Sequence, residues 1–341
     1  MRILLVSPKP RNSRTGNDVT SRRWAARLES LGHEVAIRNR YPPGDDDDSP
    51  FGGREPEMLV ALHARRSAGS VKRWQRTRPG HPLVVALTGT DLYRDLDESP
   101  DARGSVRAAD RLVVLQQKAL ERLTPEWRAK AHVIHQSAEA PEPAPEPRED
   151  VFEVSLLCHM RPVKDPFRAA EAARLLPEAS RIEIVHAGRA LREGLEERAR
   201  REERENPRYR WVGELDREQA LRLLARSRLM VLTSRLEGGA NVVTEALACG
   251  TPVISTRIDG SVGLLGERYP GYVPVGDTGA LARMLRRAEE DDAFYGALRD
   301  ACRQRAELAD PELERTEWAD LLAALQNGGR KAEHGTSDDD R

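Results

Sequence analysis

Leu229-Met-Val-Leu-Thr-Ser-Arg-Leu-Glu237-Gly-Gly-Ala-Asn-Val-Val-Thr-Glu245-Ala-Leu-Ala-Cys249-Gly-Thr-Pro-Val-Ile-Ser255 reads as one complete unit of architecture. Residues 229–233 are a short apolar run, the mark of a strand buried on both faces, and 252–255 are a second one. Between them, 241–249 have the composition of a helix. Strand, helix and strand in that order make a βαβ unit, which implies a parallel sheet. The two glutamates stand eight positions apart, the first in the loop after a strand and the second within the helix that the loop opens. Gly238, Gly239, Ala240 and Asn241 then offer backbone N–H groups at a helix N-terminus, where a phosphate is well placed. Carboxylates beside a phosphate are useful only as acceptors for neutral hydroxyls, which sugars carry in number. Phosphate and sugar together describe a nucleotide sugar.

The same rhythm extends outward. Strand candidates at 151–157, 181–186 and 209–212 alternate with helix candidates at 167–176, 191–205 and 216–225. Upstream, residues 141–150 hold Pro141, Pro143, Pro145 and Pro147 among glutamates, a stiff, solvated composition expected of a linker. Before it, strands are expected at 2–7, 34–38, 58–63, 82–87, 110–115 and 132–135, with helices at 20–31 and 67–77. The expectation is an α/β protein of two doubly wound, Rossmann-like domains facing each other across a cleft at the carboxyl ends of their strands. Residues 1–140 form the first domain and 151–305 the second, followed by a helix over 306–326 and a disordered tail over 327–341.

Composition narrows the function. The chain has 341 residues, more than the usual ~100–200 of one domain, and 55 basic against 56 acidic residues for a net charge of −1. That balance lacks the positive field of a general nucleic-acid binder, so no nucleic-acid partner is expected. No apolar stretch approaches the ~18–20 residues needed to span a bilayer, and the first apolar run is too short for a secretory signal. A soluble cytoplasmic protein without stable membrane association is expected. Cys158, Cys249 and Cys302 are far apart and lack zinc-ligand spacing, so neither disulfide nor zinc is expected, and Cys158 reads as a buried small residue. The run Asp45–Asp48 lies among prolines and glycines and reads as a solvated loop. No metal and no obligatory cofactor is expected.

With Glu237, Glu245 and the segment Cys249-Gly-Thr-Pro-Val253, the sequence resembles the retaining glycosyltransferases of family 4. The resemblance implies a GT-B fold and a donor held mainly by the C-terminal domain. It implies that Glu237 contacts sugar hydroxyls and Glu245 the ribose. The segment Arg161-Pro-Val-Lys164 stands where the family has an arginine and a lysine that grip the diphosphate and stabilise the charge developing on the leaving nucleotide. Arg161, Lys164 and Glu237 are thus the expected catalytic residues. Val212 and Gly213 are expected near the base, with Val242 in the opening turn of the helix. The family's frequent uridine preference makes a UDP-sugar, UDP-GlcNAc or UDP-glucose, the expected donor. Gly16, in the turn after the first strand, is expected to approach the donor phosphates.

In the first domain, His63, Arg65 and Arg66 follow one strand and Thr90 and Asp91 follow another, while Lys9, Arg11 and Arg14 follow the first. Convergent cations at strand ends favour a small anionic acceptor. Relatives with alcohol acceptors often carry His-Asp where this chain has Thr90-Asp91. The set Leu4–Pro8, Gly16–Thr20, Val60–Ser67, Ala86–Tyr93, Arg161–Phe167 and Arg235–Val243 is similar to the selenosugar synthases of selenoneine biosynthesis. That resemblance implies transfer of a hexose or N-acetylhexosamine to selenophosphate, forming a carbon–selenium bond. Two other readings stay open: a transferase acting on a lipid or polysaccharide at a membrane surface, for which 67–78 is the candidate basic amphipathic helix, and a catalytically silent nucleotide-sugar-binding protein.

Overall fold

Short apolar runs become strands, and those strands assort into two parallel sheets. The computed structural model describes residues 1–8, 16–42 and 50–333. Its chain divides into two units, one formed by residues up to Gln136 together with those from Glu312 onward, the other by Ser137–Pro311.

In the first unit, β1 (Arg2–Val6), β2 (Glu34–Arg38), β3 (Met58–Leu62), β4 (Leu83–Leu87), β5 (Arg111–Val114) and β6 (Ala131–Val133) form a parallel sheet in the order β2-β1-β3-β4-β5-β6. Because successive side chains alternate in direction, Leu4 and Val6 join one core while Ile3 and Leu5 join another. The first core includes Val71 and Trp74 of the helix Ala68–Thr77 and Ala102 and Val106 of the helix Pro100–Ala108. The second includes Trp24 and Leu28 of the helix Gly16–Ser30 with Trp318, Leu321 and Leu322 of the helix Pro311–Glu333. Trp24 and Trp318 meet edge to face at 5.0 Å. Glu314 is fully buried beside them and accepts hydrogen bonds from Arg23 Nε and Trp24 Nε1, both at 3.0 Å.

In the second unit, β7 (Phe152–Leu157), β8 (Ile182–Ala187), β9 (Tyr209–Trp211), β10 (Leu229–Leu232), β11 (Val253–Thr256) and β12 (Tyr272–Val273) are parallel in the order β12-β11-β10-β7-β8-β9. One continuous core joins these strands to helices that include Arg168–Ala173, Asn241–Cys249 and Thr278–Glu290. Both orders are doubly wound. The direction of winding reverses between β1 and β3 in the first sheet and between β7 and β10 in the second. At such points adjacent loops leave toward opposite faces and open a crevice at the carboxyl edge.

The two Rossmann-like domains therefore stand as expected, with four differences in detail. A π-helical turn at Asp91–Asp95 occupies residues read only as a polar strand end, and the helix Pro100–Ala108 lies where no element is expected. The helix Asp259–Leu265 and the two-residue β12 were not anticipated. The C-terminal helix is Pro311–Glu333 instead of 306–326, so it continues into the expected tail. From Glu312 onward the chain belongs with the first unit, because Trp318, Leu321 and Leu322 complete that unit's core. Lys9, Arg11, Arg14 and Asp45–Asp48 lie outside the described residues. No helix among the described residues is long and apolar enough to cross a membrane.

Candidate active site

The switch point of the second sheet is closed by the residues expected to do chemistry. After β7 the chain makes a single 3-10 turn, Pro162–Lys164, and Asp165 follows in the left-handed conformation at φ 46°. After β10 the buried Thr233 Oγ1 donates to the carbonyls of Lys164 and Asp165, at 2.9 and 3.0 Å, and the Arg235 N–H donates to the Val163 carbonyl at 2.8 Å. These bonds lock the two loops together. Lys164 Nζ consequently forms an ion pair with Glu237 Oε1, which also accepts from the buried Ser234 hydroxyl at 2.6 Å. An ammonium carries three donors, so this pair leaves Lys164 further N–H groups for a ligand. Arg161 Nε is buried, with no hydrogen-bond partner among the described residues. A buried donor of this kind is costly unless a bound group completes it.

The loop behind Glu237 is fixed by a close approach. Gly260 opens the helix Asp259–Leu265, and a Cβ there would lie 2.3 Å from the Glu237 carbonyl oxygen and 3.0 Å from the Glu237 Cβ. Gly238 and Gly239 then lead to Ala240, the N-cap of Asn241–Cys249, whose side chain provides no cap. Val242 packs partly buried against the core. One turn further along the helix, Glu245 pairs with Arg217 at 2.9 Å.

The strand ends on the other side are held equally closely. A Cβ on Gly188, where φ is +157°, would fall 1.8 Å from the Cys158 carbonyl oxygen. The Gly188 N–H donates to the Gly213 carbonyl at 2.7 Å, and Gly213 itself has φ 75° beside the exposed Val212. His186, fully buried, lies 2.9 Å from the Cys158 carbonyl through Nε2 and 2.7 Å from the Tyr209 hydroxyl through Nδ1. Burial pushes its pKa down to about 4, so it is a neutral spacer. Desolvation also pushes the Cys158 thiol up to about 12, which disfavours the thiolate, although the residue is half-buried and not the fully buried cysteine expected.

In the first unit the expected acceptor residues gather, but not as a field of cations. His63 follows β3 with φ 70°, a left-handed backbone that costs a side-chain-bearing residue roughly 1–2 kcal/mol. Its ring is 3% exposed, and burial lowers its pKa against the opposing pull of Asp91. Its Nε2 lies 3.1 Å from Thr90 Oγ1. The fully buried Asp91 carboxylate accepts the backbone N–H groups of Ala64, Thr88 and Gly89 at 2.8–3.2 Å. Arg65 is held by Asp95 at 2.7 Å. Burial works to raise the Asp95 pKa, but the bonds from Arg65 and Arg94 prevail and hold it low. Of the expected cluster, burial favours the neutral ring of His63 and Arg65 is paired with a buried carboxylate, while Asp91 accepts backbone N–H groups of two loops; Lys9, Arg11 and Arg14 lie outside the described residues. The exposed Arg66 flanks the group, and Gly16 begins its helix at another strand end.

Residues 142–308 match the family model for glycosyl transferases group 1. A 113-residue segment is 33% identical to the N-acetyl-alpha-D-glucosaminyl L-malate synthase of Bacillus anthracis, covering 31% of this chain and 29% of that protein. The chain thus matches less than a third of that relative's length. Solved structures similar to the whole chain include Anabaena HepE in complex with UDP and glucose, with 17% identity, a TM-score of 0.74 and coverage of 95% and 100% of the two chains. Sucrose-phosphate synthase of Thermosynechococcus elongatus gives 17%, 0.73, 96% and 99%. These likenesses establish a GT-B fold.

Within the matched residues, Arg161, Lys164 and Glu237 lie on the loops around the switch point, with Gly238–Val242 directly after them, whereas Val212–Gly213 lie two strands away and Glu245 one helical turn on. Sequence reasoning missed Ser234, Gly260, Gly188 and Arg217. Ser234 had a local signal, three residues before Glu237 in a loop after a strand. The glycines act on partners 23 and 30 residues away, and no periodicity in the sequence marks such contacts.

Proposed function

We propose that this chain is a glycosyltransferase that moves a hexose or N-acetylhexosamine from a UDP-sugar, UDP-GlcNAc or UDP-glucose, to selenophosphate. The observation that carries the donor half is the Lys164–Glu237 pair across the β7/β10 switch point, beside the unpartnered buried Nε of Arg161. Arg161 and the remaining N–H groups of Lys164 take the diphosphate, and Glu237 accepts sugar hydroxyls. Glu245 takes the ribose, Gly238–Asn241 supply amides, and Val212–Gly213 border the base. The donor C1–O bond breaks and its electron pair leaves with UDP, whose growing charge the two cations stabilise. A selenium lone pair forms the new C1–Se bond, and water then cleaves Se–P to release phosphate.

Support for uridine comes from HepE, solved with UDP and glucose. Support for a small anionic acceptor comes from the curated relative, whose name joins an N-acetylglucosaminyl group to L-malate. Selenophosphate rests on the resemblance of the strand-end motifs. It is already an anionic, soft nucleophile, which suits a site whose histidine is neutral and enclosed. The membrane-surface reading loses its candidate helix: Trp74 is 1% exposed in the core and Lys72 pairs with Asp101 at 2.7 Å.

The test is UDP release and product mass with UDP-GlcNAc and UDP-glucose, each offered selenophosphate, thiophosphate and phosphate. Lys164→Ala and Glu237→Ala are each expected to lower turnover by about 100-fold or more, the usual effect of removing one charge-stabilising group. Near-wild-type rates in both variants remove the donor assignment. A selenium-free product under all conditions removes the acceptor.

A further inference from the structure

We infer that Thr90 is a residue of the first unit that touches the acceptor, and that His63 is a positioning residue that fills one lone pair of the Thr90 hydroxyl and so directs its proton toward the acceptor. The group bound there accepts a hydrogen bond from that hydroxyl, as an oxygen of a phosphate-class anion does. This rests on the proposed reading that the first unit carries the acceptor.

The argument starts from the imidazole. The Arg66 backbone N–H lies 3.5 Å from His63 Nδ1 and donates to it, so Nδ1 is the acceptor nitrogen of the neutral ring. The proton is then on Nε2, which faces Thr90 Oγ1 at 3.1 Å and donates to it. With a lone pair so occupied, Thr90 turns its own proton elsewhere, and no acceptor for that proton is found among the described residues. Thr90 is partly exposed, whereas His63 is enclosed.

Several of the other expected contacts are already engaged. Asp91 spends its carboxylate on three backbone N–H groups, and Asp95 holds Arg65 and Arg94. Beside them stands one oriented hydroxyl at the carboxyl end of β4, next to β3, whose own end lies at the switch point. The left-handed backbone at His63 and the π-helical turn at Asp91–Asp95 are both irregularities that regular strand–helix connections avoid, and both serve to bring the ring and the hydroxyl together.

The experiment measures thiophosphate binding to the full chain by calorimetry, with acceptor and donor KM values measured in parallel. Thr90→Val keeps the shape and is expected to weaken thiophosphate and raise the acceptor KM by about tenfold, the loss of one hydrogen bond to a charged group, while the donor KM stays unchanged. Thr90→Ser is expected to restore binding. His63→Asn, which tolerates the left-handed backbone, is expected to match Thr90→Val, and the double variant to be no weaker than either single one. Unchanged thiophosphate affinity in Thr90→Val, or additive losses in the double variant, overturns the inference even if sugar transfer is normal. Failure of the wild-type chain to bind any UDP-sugar instead removes the donor reading, and the thiophosphate comparison still decides the role of Thr90.

Discussion

Glu237 owes its position to residues that carry no charge. Ser234 holds one carboxylate oxygen, and Gly260 leaves just enough room for the Glu237 backbone. Gly260→Ala is expected to push that loop aside and lower turnover by about 100-fold, since displacements near 1 Å at a reacting centre have such effects. Steady-state kinetics, with a thermal melt to show that the fold persists, checks this. At this scale the sequence was readable where chemistry imposes a residue type: two glutamates eight apart and an arginine–lysine pair after a strand. It was not readable where a residue matters through a distant neighbour. His63 and Arg65 looked like cations in the sequence, and only burial and the facing carboxylates, from a different strand end, showed them otherwise.

Among elements, the helix Pro311–Glu333 carries the greatest consequence for stability. Its Glu314 is the buried counter-charge for Arg23 of the helix Gly16–Ser30 and also accepts the Trp24 indole N–H. Glu314→Ala removes a fully buried counter-charge that Arg23 and Arg27 share and is expected to destabilise the first unit by about 3 kcal/mol. Urea unfolding followed by tryptophan fluorescence reads this directly, because Trp24, Trp74, Trp127 and Trp318 all belong to that unit. Strands were legible to within about a residue because continuous apolar runs have few other uses. The helix Asp259–Leu265 was not, since Gly260 and Gly263 are poor helix formers and packing overrides their propensity. Likewise, Thr88-Gly-Thr-Asp reads as a turn until the Asp91 carboxylate is seen to gather the amides that organise it.

For the molecule as a whole, acidity acts on every histidine that folding encloses. Burial lowers the pKa of His63, His132 and His186, the last to about 4. Unfolded histidines take up protons near pH 6.5, so between pH 6.5 and 4 the unfolded chain binds more protons and stability falls with pH. Asp95 and Glu202, both held below the usual carboxylate range, add further loss once they too are protonated. His186 alone is expected to account for about 2 kcal/mol between pH 7 and 5 in the second unit. The urea midpoint read by Trp211, the one tryptophan of that unit, is expected to fall over this range, and His186→Gln to flatten the slope. The placement of Trp318, Leu321 and Leu322 reaches beyond equilibrium. A ribosome finishes the second unit's sequence before it supplies the residues that cover Ile3 and Leu5. The half of these residues that is translated first is thus the last to be sealed, and until Trp318, Leu321 and Leu322 emerge its open sheet is a natural client for chaperones.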